Sequence, residues 1–523
     1  MDKPLNQSER PPYGIIAVLM IGAFIAFLNN TLLNIALPTI MTEFDVGAAT
    51  VQWLTTGFML VNGILIPTTA FLIQKYSVRR LFLVAMGLFT VGTLIAGIAP
   101  VFTMLVSGRM VQAAGTAIMM PLLMTVMLRS FPVEKRGTAM GMLGFILMAA
   151  PAIGPTLSGV IIEYSHWRML FYFVAPIAVA VLLIGFFLLK DKKGKVDIRL
   201  DVLSVILSSV GFGGLLYGFS SAGEMGWSSP LVYLTITVGV ASIVTFILRQ
   251  SMLKVPMLNF RVYMYPMFSL ASVITMVINM ALFSGMILLP IYVQTIRGIS
   301  PIDAGLMLMP GAIAMAIMSP ITGRLFDKFG GRVLAVIGLS IMTVTTFMFS
   351  QLTAETTYGY LVVLHAVRMV GMSMVMMPVS TNGLNQLPPS FYPHGTAMNN
   401  TLNQVSGAIG TALLITVMST RESFHAAAMT REAETSAGVG AGQLSEAVMM
   451  QIQMDAMLGG INDAFRVSAY IVVVALVLAF FIKRAKQSEE PAPGASGDPE
   501  SDARSPEEGK SIPKRTDAKV AGD

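Results

Sequence analysis

The chain reads as an all-α membrane protein of fourteen transmembrane helices, built as two pseudo-symmetric six-helix bundles with two more helices inserted between them. Three observations predict this fold: a composition that only lipid can solvate, apolar runs of helical length, and a set of landmarks that occurs twice. Hydrophobic residues make up 54% of the 523 and charged residues 12%, with a mean hydropathy of +0.72. Such a chain cannot be wrapped in a polar surface.

The apolar runs span roughly 14–38, 50–73, 81–99, 102–128, 138–162, 169–189, 202–221, 230–248, 266–292, 303–325, 333–351, 358–379, 395–419 and 464–482. Each is near the roughly 20 residues that a helix needs to cross hydrocarbon. The first follows Lys3 and Arg10 as a signal peptide would, but no small-residue cleavage site comes after it, so it is expected to be retained. The resulting organisation is a cytoplasmic N-terminus (1–13), a first six-helix bundle (14–189), a basic loop with two inserted helices (190–265) and a second bundle (266–485). The second bundle carries an outer loop at 421–462, to which the sequence assigns no chemistry. The segment 486–523 is Pro, Gly, Ser and charge, which reads as a disordered cytoplasmic tail.

The duplication is explicit. Gly-Thr-Ala-Met occurs at Gly137–Met140 and again at Gly395–Met398. Upstream, Arg109-Met-Val and Met119-Met-Pro121 answer to Arg368-Met-Val and Met376-Met-Pro378, and downstream Ala152-Ile-Gly154 answers to Ala408-Ile-Gly410. Pro67, Leu72, Lys75 and Arg79 stand at the spacing of Pro320, Leu325, Lys328 and Arg332. Tandem halves of this kind build many secondary transporters, with the substrate site where the halves meet.

One set of alternating loops collects Lys75, Arg79, Arg80, Lys135, Arg136, Lys190, Lys192, Lys193, Lys195, Arg249, Lys254, Arg261, Lys328 and Arg332. By the positive-inside bias these loops and both termini face the cytoplasm, and the protein is a multi-pass component of the cell membrane. The net charge of +6 is this topological signal and not a nucleic-acid footprint. Cysteine is absent, the four histidines have no ligand spacing, and there is no phosphate-binding loop. No cofactor, metal or convergent catalytic set is therefore expected, and any pumping must draw on an ion gradient.

Taken together, the landmarks resemble the major facilitator superfamily and, within it, the fourteen-helix drug:proton antiporters. The run Gly323-Arg-Leu-Phe-Asp327-Lys-Phe-Gly-Gly-Arg332 is similar to the family's cytoplasmic-loop signature. Arg109-x-x-Gln112 with Gly115 is similar to its fourth-helix signature, and Gly154-Pro155 with Gly159 to its fifth-helix antiporter signature. Leu28-Asn-Asn-Thr-Leu-Leu-Asn34-Ile-Ala-Leu-Pro38 resembles the first-helix motif of the fourteen-helix group.

The resemblance implies alternating access around a midplane cavity, export of amphipathic or cationic toxic compounds, and exchange for protons, with sodium as the other coupling ion. The expected partners are a small-molecule substrate and the bilayer, with the protein a monomer. Export of one endogenous metabolite, siderophore or lipid, and nutrient symport, are the alternatives. Two departures bear on mechanism. Gln74 replaces the expected acid in the first-half loop, so any latch there is uncharged, and Asn29 stands where proton-coupled relatives place aspartate.

The candidates for proton coupling or gating are Arg109, Gln112, Asp303, Glu163, Asp327, Arg368 and His365. A guanidinium inside an apolar run costs roughly 2.5–3.5 kcal/mol unless paired, which marks Arg109 and Arg368. Gln112 and His365 lie one turn from them on the same faces. Asp327 can hold a base or a helix N-terminus in one conformation and release it in another. Glu163 and Asp303 are the remaining acids nearest to the spans. Candidate cavity residues are Asn29, Asn30, Asn34, Trp53, Phe58, Met119, Phe283, Tyr292 and Met376. Several of the 41 methionines, Met119 and Met376 among them, suit a pocket for varied apolar ligands.

Overall fold

Lipid offers no hydrogen-bond partners, so a chain this apolar satisfies its backbone inside helices. The computed structural model describes residues 13–46, 48–51, 53–190, 200–437 and 444–484, and no strand occurs among them. The proposed tail at 486–523 and residues 191–199 of the basic loop lie outside the described residues.

The helices are α1 (Tyr13–Phe44), α2 (Ala48–Val51), α3 (Trp53–Lys75), α4 (Val78–Gly97), α5 (Phe102–Ser130), α6 (Arg136–Tyr164), α7 (Met169–Leu188), α8 (Val202–Met225) and α9 (Pro230–Met252). They continue with α10 (Pro266–Ile291), α11 (Pro301–Phe329), α12 (Gly331–Phe349), α13 (Tyr358–Ser373), α14 (Met376–Asn385), α15 (Tyr392–Ala437) and α16 (Glu446–Ala479). Twelve stretches among the described residues are long and apolar enough to span a membrane, and α10 adds a shorter apolar stretch, Pro266–Leu282. The sequence count of fourteen exceeds these twelve by the runs at 138–162 and 266–292, which fall in α6 and α10.

Local chemistry sets many of the boundaries. Proline occupies the first turn of α9, α10 and α11, where its missing N–H costs nothing. Ser77 and Ser300 cap α4 and α11 by accepting the N–H groups of Arg80 and Asp303. Gly330 ends α11 with φ +81, a conformation glycine adopts without strain. The run at 358–379 breaks into α13 and α14 around Met374 and Val375. The helices at 395–419 and 464–482 run well past the apolar stretches, so the outer loop 421–462 is largely a continuation of α15 and α16.

Contacts repeat between two sets of helices, α1 with α3–α7 and α10–α16. α1 packs on α6, α3 on α5 and α4 on α7, and likewise α10 packs on α15, α11 on α13 and α12 on α16. The two sets are joined by α6 against α11 and by α3 against α15. α8 and α9 pair closely and lie against α3 and α15.

With no hydrophobic driving force in lipid, this packing depends on close approach and on buried polar bonds averaging about 0.6 kcal/mol. At Gly239 of α9 an added Cβ would stand 2.9 Å from the Leu215 nitrogen and 3.0 Å from the Gly211 oxygen of α8. Arg249 and Asp201 clasp the base of this pair at 2.6 Å. The hydrogen bond from Arg249 outweighs burial and holds the Asp201 carboxyl down at about 2, so the pair stays charged at ordinary pH. A parallel tie at the other end joins Glu43 of α1 to Trp167 (2.5 Å), His166 (2.9 Å) and Arg168 before α7.

Gly239→Val is expected to force α8 and α9 apart at a cost of about 1–3 kcal/mol. The check is a lower Tm of the purified protein in detergent, relative to the exposed control Val238→Ala.

Candidate functional site

Arg109 sits two turns into α5 with 1% of its surface exposed. Its Nη1 donates to Asn29 Oδ1 at 2.9 Å and to Gln112 Oε1 at 3.0 Å, its Nη2 to Asn30 Oδ1 at 2.9 Å, and its Nε to the Leu54 carbonyl at 3.5 Å. Gln112 in turn donates to Thr93 of α4 at 2.7 Å. The face of Phe58 lies 4.5 Å from the guanidinium carbon. One cation thus ties α1, α3, α4 and α5 together through neutral acceptors alone. Its donors are well satisfied, so the group is held in place by directed bonds rather than by a counter-charge.

Arg368 holds the matching position in α13, 2% exposed, but its surroundings differ. Nη2 donates to the Ala281 carbonyl at 3.0 Å, whereas Nε has no acceptor. Phe349 lies 5.8 Å below it and Gly285 of α10 leaves the space that the guanidinium fills. His365, one turn earlier, rests against Gly311 of α11 with its Nδ1 unpartnered. The first-half arginine is therefore enclosed in amides, and the second-half one keeps donors in reserve.

The end of the molecule that carries the basic loops is closed by bonds between the helix set α1 and α3–α7 and the set α10–α16. Asp327, at the end of α11, accepts the backbone N–H of Gly137 through Oδ1 at 2.8 Å. Its Oδ2 accepts the N–H and hydroxyl of Thr138 at 2.8 and 2.6 Å. These are the orphan donors of the first turn of α6, where a carboxylate also meets the positive end of the helix dipole. The approach is permitted by small residues, since a Cβ at Gly141 would stand 2.6 Å from the Ser319 carbonyl. Around this cap, Arg136 donates to Asn385 at 3.1 Å and stacks on Tyr392, and Thr125 meets Thr396 at 3.0 Å. Gln74 at the end of α3 meets His394 of α15 at 3.2 Å.

The other sequence candidates spread over several places. Gly154 brings α6 against Thr31 of α1, whose hydroxyl donates to Ala150 at 3.3 Å, while Gly159 faces open space. Met119 is buried in the first-half core near Gly22, and Met376 is partly buried against the second. Trp53 is 37% exposed and lies 6.0 Å from Tyr217 of α8. Tyr292 is enclosed in the second-half core and its hydroxyl donates to the Thr353 carbonyl at 2.6 Å. Asp303 is exposed in the first turn of α11 and Glu163 is exposed at the end of α6. Asn34, Pro155 and Phe283 lie in α1, α6 and α10, and their side chains are outside the described residues. Thr93, Thr138, Asn385 and His394 join these networks without having been singled out in the sequence. Thr138 belongs to the repeated Gly-Thr-Ala-Met, so the repeat itself carried a signal.

The model of the Major Facilitator Superfamily matches residues 19–411. The chain is 46% identical over 521 residues to the uncharacterized MFS-type transporter YhcA of Bacillus subtilis, covering 93% of this chain and 98% of that one. It is 42% identical to the lincomycin resistance protein LmrB of Listeria monocytogenes, over 91% of this chain and 98% of the relative. The solved structure of the human organic anion transporter MFSD10 shares the fold at a TM-score of 0.63 and 11% identity. It covers 90% of this chain and all of that one.

Asp327→Ala removes the two oxygens that accept three hydrogen bonds from the α6 N-terminus and is expected to weaken the closed end by about 1–2 kcal/mol. In this cysteine-free chain, the alkylation rate of Thr125→Cys should then rise by about five-fold or more. Arg109→Ala strands Asn29, Asn30 and Gln112 and should cost about 1–3 kcal/mol, read as a fall in Tm and in folded yield.

Proposed function

The chain belongs to the major facilitator superfamily, and on that premise we propose that it is an ion-gradient-driven exporter of amphipathic toxic compounds, with protons entering in exchange. The observation that carries this reading is the Asp327 cap on α6, a bond between the first and last six spans that a relative rotation would break as a unit. The relative named for lincomycin resistance supports drugs as the substrate class.

In this reading α6 and α10 complete fourteen spans, α1 and α3–α7 form one bundle, α10–α16 the other, and α8–α9 are the inserted pair. The recurring contact pattern of the two sets supports that division. The basic end is cytoplasmic, with both termini there, in the cell membrane. The protein works as a monomer and has no catalytic role.

Alternating access then follows from the geometry. With the cytoplasmic end shut by Asp327, Arg136–Asn385, Thr125–Thr396 and Gln74–His394, substrate leaves on the other side. Parting these contacts exposes the space between the Asn29–Asn30–Arg109–Gln112 network and Arg368–His365 to the cytoplasm. Arg109 and Gln112 position the first-half wall, and Arg368 and His365 supply the titratable counterpart in the second. Asn29 carries no proton, and every carboxylate of the described residues lies at or beyond the edge of an apolar run, Asp463 of α16 being held there by Arg421, His425 and Arg466, so His365 is the mid-span group that gains and loses one. Asp303 and Glu163 are the acids at the outer mouth. Two buried guanidinium groups without a mid-span carboxylate repel polycations, which favours amphipathic substrates of low charge.

Reconstituted proteoliposomes with an imposed proton gradient should accumulate a lincosamide, and a protonophore should abolish the accumulation, whereas an imposed sodium gradient should not drive it. His365→Asn should retain exchange of substrate for substrate but lose proton-driven accumulation by about ten-fold. Undiminished transport with all gradients collapsed would refute ion-driven antiport.

A further inference from the structure

Pseudo-symmetry pairs the Asp327 latch with a second latch on the opposite seam of the same end. Gln74 ends α3 as Asp327 ends α11, and His394 precedes the second Gly-Thr-Ala-Met as Arg136 precedes the first. The second latch contains no acid. It is built instead on an imidazole that is 6% exposed and held from two sides. Nδ1 accepts the backbone N–H of Asn259, in the linker between α9 and α10, at 3.1 Å. Nε2 meets the Gln74 side-chain amide at 3.2 Å. Phe391 closes over the ring edge at 6.1 Å between centroids.

We propose that His394 is a proton-operated positioning residue: its neutral ring ties α3, the α9–α10 linker and α15 together at the closed end, and protonation of that ring releases them. A neutral imidazole has one donor and one acceptor nitrogen. Asn259 offers a backbone N–H that cannot be turned round, so Nδ1 must be the acceptor and Nε2 the donor. Gln74 meets that requirement by turning its amide so that oxygen faces the ring, at the expense of the 3.0 Å bond that its Nε2 donates to the Ala70 carbonyl. Imidazolium has two donors and no acceptor, so the Asn259 N–H then faces another N–H and the linker contact is lost.

Burial of the ring also favours its neutral form, and the charged groups on the surrounding elements are mostly basic. They are Lys75 on α3, Arg129 on α5, Arg136 on α6 stacked on Tyr392, Arg261 on the linker, and Lys483 and Arg484 after α16. The carboxylates at this end, among the described residues, are Asp327, which caps α6, Glu134 just before α6, and Asp201 at the start of α8, which is engaged with Arg249 of α9. α10 and α14 bring no charged side chain to this end, and the remaining titratable groups are the phenols of Tyr263, Tyr265 and Tyr392. The first turn of α15 adds the positive end of its own dipole. A fall in pH on this side therefore raises the fraction of molecules open there. This inference rests on the reading that the first and last six spans part at this end during transport.

The test uses the full chain in nanodiscs with spin labels at Tyr76→Cys and Ser390→Cys, which flank the α3–α15 seam; the natural chain has no cysteine to interfere. Between about pH 8 and pH 5 the unmodified latch should gain a long-distance population, and His394→Gln should show none of that response. Gln74→Glu gives the imidazolium a carboxylate partner across the seam, so it should shrink the low-pH long-distance population and move the midpoint upward by about one pH unit or more, an effect that a purely structural role does not produce. It also serves if His394→Gln fails to fold. An identical pH response in His394→Gln, or an unmoved midpoint in Gln74→Glu, overturns the inference and leaves alternating access standing. Absence of any long-distance population, even with substrate and a gradient imposed, overturns both.

Discussion

The close approach of α6 and α11 governs the state in which this molecule is found. Asp327 reaches the first turn of α6 because Gly137, Gly141 and Gly323 keep side chains out of the crossing. A single methyl group at Gly141 would meet the Ser319 carbonyl at 2.6 Å and push the carboxylate away from its donors. Around that contact the remaining bonds between the two helix sets fall into place, from Arg136–Asn385 to Thr125–Thr396. In hydrocarbon such directed contacts count for more than burial of apolar surface, since lipid solvates leucine as well as another leucine does.

The two buried arginines show how duplicated positions diverge. Arg109 is held by Asn29, Asn30, Gln112 and the Leu54 carbonyl, so its charge is fixed and its donors are used. Arg368 keeps an unpartnered Nε beside an unpartnered His365 nitrogen. A satisfied network resists change, whereas unpaired donors next to a titratable ring respond when a proton or ligand arrives. The same division appears at the closed end, where one latch is a carboxylate on a helix N-terminus and the other an amide on an imidazole.

Much of this was legible in one dimension. The apolar runs and the doubled Gly-Thr-Ala-Met gave the helical membrane fold and its internal repeat. The cost of a guanidinium in an apolar span marked Arg109 and Arg368 before any contact was known. Gln74 was legible as an uncharged replacement for an acid. Its partner His394 was not, because the two are 320 positions apart and the histidine carries no motif. Asn385 was missed for the same reason, as an ordinary polar residue near a helix end, whereas Thr138 lay inside the repeated Gly-Thr-Ala-Met without its role being read from it. The break between α13 and α14 also escaped, since hydropathy does not register a local loss of backbone bonds.

The sequence alone determined what must be true of any chain this apolar: helices, their approximate extent, and a strong bias in where the basic residues collect. These follow from the energetics of transferring single residues and backbone groups into lipid, which are local properties. Only the tertiary structure decided which acid caps which helix, which arginine is fully satisfied and which histidine stands between two seams. Those outcomes depend on distances between segments far apart in the chain, set by the packing of small residues at helix crossings, and no local pattern encodes them.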